Sequence, residues 1–281
     1  MNDAPPSFRL LPGAPDSPVL LHVPHGSRVI PAAVRDGIVL DDAALERELD
    51  HITDAHTDRI AEMAAGRAAT RPWRFVNLLS RLVIDPERFP DEREEMLAVG
   101  MGAVYTRTTH GETLRPADRG GLPLGGQPAE GEPLDGQSLV DRYFHPYAAA
   151  MTDAVTDRLL RTGRAVVLDV HSYPTESLPY ELHGDGPRPP VCLGSDPFHT
   201  PADLLAAAEE EFAGFGGTEV NSPFGGAYVP LQYYGSDPRV TVLMIEIRRD
   251  VYMREPGGPA GPGLKRPADA LARLVDAVTD G

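Results

Sequence analysis

The chain has 281 residues, with 26 Lys+Arg against 42 Asp+Glu and a formal charge of −16 at pH 7. That acidic balance argues against a general nucleic-acid binder and against a protein that coats anionic membranes, since both rely on basic surface. A hydrophobic fraction of 41% can fill a sizeable core, and the lone Cys192 excludes an intramolecular disulfide and any cysteine-rich zinc site.

A single cysteine also fits a reducing compartment, so the expected location is the cytoplasm. The first residues, Met1-Asn2-Asp3-Ala4-Pro5-Pro6, lack the basic and apolar regions of a secretory signal. Apolar runs such as Val166-Val167-Leu168 are far shorter than the ~20 residues that cross a bilayer. No internal repeat and no linker divides the chain, which therefore reads as one domain over residues 1–281.

In chain order, Val19–Val23 is an apolar run stopped by Pro24, predicting a buried strand that delivers His25 at its carboxyl end. From Asp41 to about Ala65, apolar residues recur at helical spacing and predict one amphipathic helix. Arg74–Asn77 and Leu82–Ile84 read as strands around a polar Ser80-Arg81. A Gly- and Pro-rich excursion follows at about 90–137, the kind of segment that forms a lid, a binding loop or a disordered excursion.

Leu139–Arg161 predicts a second helix, ended by Gly163, and Arg164–Val170 a buried strand leading to His171. Pro201–Phe215 reads as a helix, Thr241–Ile247 as a strand containing Glu246, and Ala268–Val278 as a closing helix. Strands alternating with helices predict an α/β fold with a mainly parallel or mixed sheet and helices on both faces.

Open α/β sheets carry their sites beyond the carboxyl ends of strands, which is where His25, His171 and Glu246 fall. Each alone also suits a turn or a core position. Asp50, Asp54 and Asp58 recur every fourth residue and share one face of the predicted helix. That face is either a solvated acidic stripe or the source of a metal ligand. Two imidazoles and one carboxylate leave a tetrahedral zinc ion one open position for water, and Glu246 is the natural base for that water. A serine hydrolase using Ser27 or Ser172 is disfavoured by the absence of a Gly-x-Ser-x-Gly elbow, and no His-Glu-x-x-His zincin motif is present.

Seven motifs, in order between about residues 19 and 255, resemble the N-formylglutamate amidohydrolase family. They are Pro24-His25-Gly26-Ser27, Thr53-Asp54-Ala55-His56-Thr57-Asp58, the stretch Ser80–Phe89, and Tyr143-Phe144-His145-Pro146-Tyr147. The remaining three are Leu168–Pro174, Asn221–Tyr228 and Ile245–Met253.

The resemblance implies a zinc-carboxypeptidase-like three-layer sandwich and hydrolysis of an N-acyl amino acid at its amide, N-formyl-L-glutamate first. Another N-acyl amino acid or peptide, or sensing of an acidic metabolite without catalysis, are the alternative readings. The resemblance also implies zinc ligands His25, Asp54 (or Asp50, on a different alignment) and His171, with Glu246 as base. Gly26-Ser27 is reversed relative to the family's turn, and Arg248 stands where the family has asparagine. Arg81, Arg88 and Arg249 are expected to meet the substrate's charge, Arg81 first as oxyanion or carboxylate partner. Asn221, Gly225 and Gly226 form a turn that lets backbone approach a ligand.

Overall fold

The computed structural model describes residues 6–116 and 134–280. Strands β1 (Phe8–Leu11), β2 (Val19–Val23), β3 (Trp73–Asn77), β4 (Ala165–Tyr173), β5 (Val191–Gly194), β6 (Thr218–Val220) and β7 (Val240–Arg248) make one sheet. Their order is β1-β3-β2-β4-β7-β5-β6. The centre, β3-β2-β4-β7, is parallel, whereas β1 on β3 and β5 on β7 are antiparallel, so the sheet is mixed.

The helices are α1 (Ala32–Arg35), α2 (Asp42–Ile52), α3 (Thr57–Ala65), α4 (Gly136–Leu139), α5 (His145–Thr162), α6 (Ala202–Phe212) and α7 (Lys265–Asp280). Strand alternation decides what each face meets. Val19, Leu21 and Val23 of β2, with Val166, Leu168 and Val170 of β4, pack against α3, α6 and α7. Leu20, Val167 and Val242 point the other way, onto Tyr147, Met151 and Val155 of α5. Helices therefore cover both faces, as the alternation of the sequence predicts. No described helix is long and apolar enough to cross a membrane.

Three local expectations are corrected. The helix predicted over Asp41–Ala65 is two helices, α2 and α3, interrupted at residues 53–56. The Asp54 N–H donates to the carbonyl of His25 at 3.0 Å, and His56 takes a left-handed conformation (φ 69°), so the interruption is fixed by a contact distant in sequence. Leu82–Ile84 is a buried turn rather than a strand, because the Ser80 carbonyl accepts from the Val83 N–H and its hydroxyl from the Leu82 N–H.

The predicted helix over Leu139–Arg161 contains a π-helical turn at Val140–Phe144. Pro146 lacks an N–H to donate, and a local widening of the helix accommodates that loss. In the described part of the 90–137 segment, Met96, Met101, Tyr105 and Leu114 are buried with Leu45, Leu49 and Ile52 of α2, and Arg93, Glu94 and Glu95 line the cleft described below. Arg115, itself buried, donates to the carbonyls of Tyr105 and Leu82 and ties this segment to the turn. Residues 117–133 of the excursion lie outside the described residues. β1, β5 and β6, short strands of three or four residues, have no counterpart in the sequence reading.

Candidate metal centre and active-site cleft

On the α5 face of the sheet, apolar side chains give way to polar ones toward the carboxyl ends of the central strands. Leu20 is followed by His22, Val167 by Asp169 and His171, and Val242 by Met244 and Glu246. Register aligns them, with His22 opposite Asp169 and His171 opposite Glu246. His25 arrives from the loop after β2. There Gly26 passes Thr57 so closely that a Cβ would lie 2.9 Å from its Oγ1, and the Ser27 hydroxyl donates to the Leu78 carbonyl.

Three buried donor atoms converge at the floor of a cleft of about 440 Å³. His25 Nδ1 is 3.3 Å from His171 Nδ1, His171 Nδ1 is 3.0 Å from Asp54 Oδ2, and His25 Nδ1 is 3.7 Å from Asp54 Oδ2. Bonds of 2.0–2.1 Å to a tetrahedral zinc ion place its ligand atoms about 3.3 Å apart, so the three atoms suit one small divalent ion. The rear nitrogens support the same fit. His25 Nε2 lies 2.9 Å from Asp85 Oδ1, and His171 Nε2 lies 3.1 Å from Asp169 Oδ1 and 3.2 Å from Glu87 Oε2. Carboxylates behind an imidazole fix its tautomer and turn the opposite nitrogen toward a metal.

Two further donor groups, His22–Glu87–Asp169 and His25–Asp85–Glu87, lie nearby. His22 and Asp85 do not line the cleft, whereas His25, Asp54 and His171 all do. Among these groups of described residues, the first thus has all three members on the cleft lining and the other two have two each.

The electrostatics are those of a site short of positive charge. Around the two histidines, Asp54, Asp85, Glu87, Asp169 and Glu246 outnumber Arg81, Arg88 and Arg249. Burial would lower the His171 imidazole, but Asp169, Glu87 and Asp54 outweigh it and hold it well above its usual range. His22 is likewise raised to about 9 against its burial, by Asp169 and Glu87. Asp54 and Asp85 are held below the ordinary carboxylate range in spite of burial, Asp54 by His171 and His25, Asp85 by Arg81 and His25.

Glu246 is the exception: burial pushes its carboxyl up to about 7, beyond what His171, Arg81 and Arg249 restore. Its Oε2 is buried without a hydrogen-bond partner.

The arginines are unequal. Arg81 donates to Asp85 Oδ2 (2.7 Å from Nη2) and to the Tyr105 hydroxyl, which itself donates to Asp85 at 2.6 Å. Arg249 donates to the His51 carbonyl at 2.6 Å and to Asp54 Oδ1 and the Ser172 carbonyl at 3.3 Å. Arg88 stands 3.6 Å from Asp85 and from Glu94, and its buried Nε has no hydrogen-bond partner.

Of the residues singled out in the sequence, the structure gathers His25, Asp54, His171, Glu246, Arg81, Arg88, Arg249, Gly225 and Gly226 on this cleft. Asn221 stands off it: its side chain accepts from the Ser195 and Gly226 N–H groups and donates to the Ser195 hydroxyl, bracing the turn that presents the two glycines. Asp50 is also apart, paired with Arg28 at 2.7 Å, and Asp58 is exposed. Sequence reasoning missed His22, Asp85, Glu87 and Asp169. The available signal was strand alternation, which sets Asp169 on the same face as His171.

A sequence profile described as N-formylglutamate amidohydrolase matches residues 17–253. The fold is similar to a crystal structure of N-formylglutamate amidohydrolase from Ralstonia eutropha JMP134, with a TM-score of 0.76 and 25% identity over 98% of this chain and 97% of that one. A gene product of Agrobacterium tumefaciens shares the fold with a TM-score of 0.67 and 17% identity over 98% and 95% of the two chains. A search of curated protein sequences returned no match.

Proposed function

Since the chain belongs to the N-formylglutamate amidohydrolase family and is thus an amidohydrolase, we propose that it is a metal-dependent enzyme cleaving the amide of an N-acyl amino acid, with N-formyl-L-glutamate the substrate that the family implies. The observation that carries this reading is the set of three donor atoms 3.0–3.7 Å apart at the cleft floor, with a carboxylate behind each imidazole. His25 Nδ1, Asp54 Oδ2 and His171 Nδ1 would hold the ion, zinc by donor type. Bound there, a divalent ion supplies a Lewis acid that polarises the amide carbonyl and acidifies water.

The chain's own residues do the rest. Glu246, buried and without a partner at Oε2, takes a proton from the attacking water and delivers it to the departing amine nitrogen. Arg81 is oriented by Asp85 and Tyr105 at the edge of the cleft, where its guanidinium offsets negative charge growing on the carbonyl oxygen. Arg88 has hydrogen-bonding capacity to spare and grips the substrate carboxylate. Arg249 holds Asp54 in place and acts through it. Gly225 and Gly226 let the wall approach the ligand without side chains.

The test combines metal analysis with assay of amine release from N-formyl amino acids. Wild type is expected to carry one divalent ion per chain and to turn over. His171→Ala is expected to lose both, and Glu246→Gln to keep the ion while losing turnover. A metal-free preparation with full activity would refute the proposal.

A further inference from the structure

Behind His171, on the side away from the cleft triad, a second set of donor atoms is buried without partners. His22 is fully buried and Asp169 is 1% exposed. His22 Nδ1, Glu87 Oε1 and both carboxylate oxygens of Asp169 are enclosed, and none makes a hydrogen bond among the described residues. Yet they crowd together: His22 Nδ1 is 3.0 Å from Asp169 Oδ1 and 3.3 Å from Glu87 Oε1. Polar atoms this close that do not bond one another are costly to bury, unless a cation between them takes up their lone pairs.

The pairing of charges points the same way. Among the described residues, the only basic side chains paired with Glu87 and Asp169 are the imidazoles of His22, His25 and His171. Asp54 and Asp85, by contrast, each have an arginine, Arg249 and Arg81. Two buried carboxylates without a permanent cation are expensive, and with one neutral imidazole they cancel the charge of a divalent ion.

The surroundings preset these donors. His22 Nε2 lies 2.6 Å from the Tyr147 hydroxyl of α5, and a proton held on that nitrogen leaves a lone pair at Nδ1. Tyr147 is itself fixed edge-on against Phe75, with ring centroids 4.9 Å apart. Glu87 divides its oxygens, Oε1 toward His22 and Oε2 at 3.2 Å from His171 Nε2. Glu87 and Asp169 also line the cleft, which gives an ion a way in. With one nitrogen and two carboxylates, the set is richer in oxygen than the cleft triad, and oxygen donors suit Mn²⁺.

We propose that His22 Nδ1, Glu87 and Asp169 form a second divalent-cation site, for a hard first-row ion such as Mn²⁺, on the far side of His171 from the cleft triad. The ion ties Glu87 and Asp169 in place behind the His171 ring. The inference does not depend on the amide-hydrolase reading, since occupancy is measured without turnover.

The experiment titrates Mn²⁺ into protein already loaded with one equivalent of zinc. Free Mn²⁺ is counted by its electron paramagnetic resonance signal, and zinc by metal analysis. One Mn²⁺ is expected per zinc-loaded chain, with the zinc retained. His22→Phe is expected to weaken Mn²⁺ uptake by more than ~10-fold, the least that loss of even an outer-shell partner costs a metal site, and to leave zinc at one per chain. Crystals soaked in Mn²⁺ are expected to show anomalous scattering from manganese between His22, Glu87 and Asp169, a result that needs no variant to fold. No uptake by the wild type, uptake only by displacing zinc, or manganese bound elsewhere overturns the inference. Uptake unchanged in a folded His22→Phe protein overturns it as well.

Discussion

Glu246 lies on β7 opposite His171, with one carboxylate oxygen buried and unpartnered and its carboxyl pushed up to about 7 by burial. As a base it works only when ionised, so kcat/KM is expected to rise with pH and level off once the carboxyl has lost its proton. The midpoint of that acid limb falls at or below about 7, since a bound dication can only lower it. Glu246→Gln is expected to cost roughly 10²–10⁴ in kcat and to abolish the limb, as read from pH–rate profiles. The carboxylates behind the histidines act through them. Asp169→Asn is expected to weaken zinc binding by roughly 10–100-fold in a competition titration, because the His171 imidazole loses the negative charge 3.1 Å behind its Nε2.

At the scale of elements, the interruption between α2 and α3 does the positioning. Asp41 caps α2 by accepting from the Ala44 N–H at 2.7 Å, and the helix then stops at Ile52, so that the next residues carry Asp54 under the His25 carbonyl. His56 sustains the break in a left-handed conformation that a β-branched residue tolerates poorly. His56→Val is expected to cost about 1–2 kcal/mol, read as a lower urea midpoint at unchanged m-value.

This break also shows where sequence reading stopped. Apolar periodicity runs on through Ile52, His56 and Ile60, so Asp50, Asp54 and Asp58 looked like one face. What ends the helix is a hydrogen bond to a residue almost thirty positions earlier, which no local pattern records. By contrast, His25, His171 and Glu246 were legible, because each follows or ends an apolar run and strand ends are where such sheets place chemistry. His22 and Asp169 were hidden for the opposite reason: they sit within strands, and their pairing comes from β2–β4 register. The turn at Leu82–Ile84 has the composition of a strand, and only Ser80 bonding back to it reveals the bend that puts Arg81 on the cleft and Asp85 behind His25.

For the whole molecule, the acidic balance behind a formal charge of −16 extends into the site. The cleft concentrates carboxylates, and the proposed divalent ion between His25, Asp54 and His171 would relieve their repulsion as well as serve catalysis. An ion bound to the folded chain at about 100 times its Kd adds ~2.7 kcal/mol of stability, so zinc is expected to raise the thermal midpoint by roughly 5 °C in scanning calorimetry. His25→Ala is expected to erase that increment, read as the difference between zinc-loaded and metal-free midpoints of the same variant.

The central claim is that amide hydrolysis depends on the ion held by these three residues. Zinc titration of chelator-stripped protein, followed by formate release from N-formyl amino acids, tests it most directly. Activity absent after stripping and restored in proportion to zinc up to one equivalent per chain is the predicted result. Full activity in the stripped protein, unchanged by added zinc, would contradict the account.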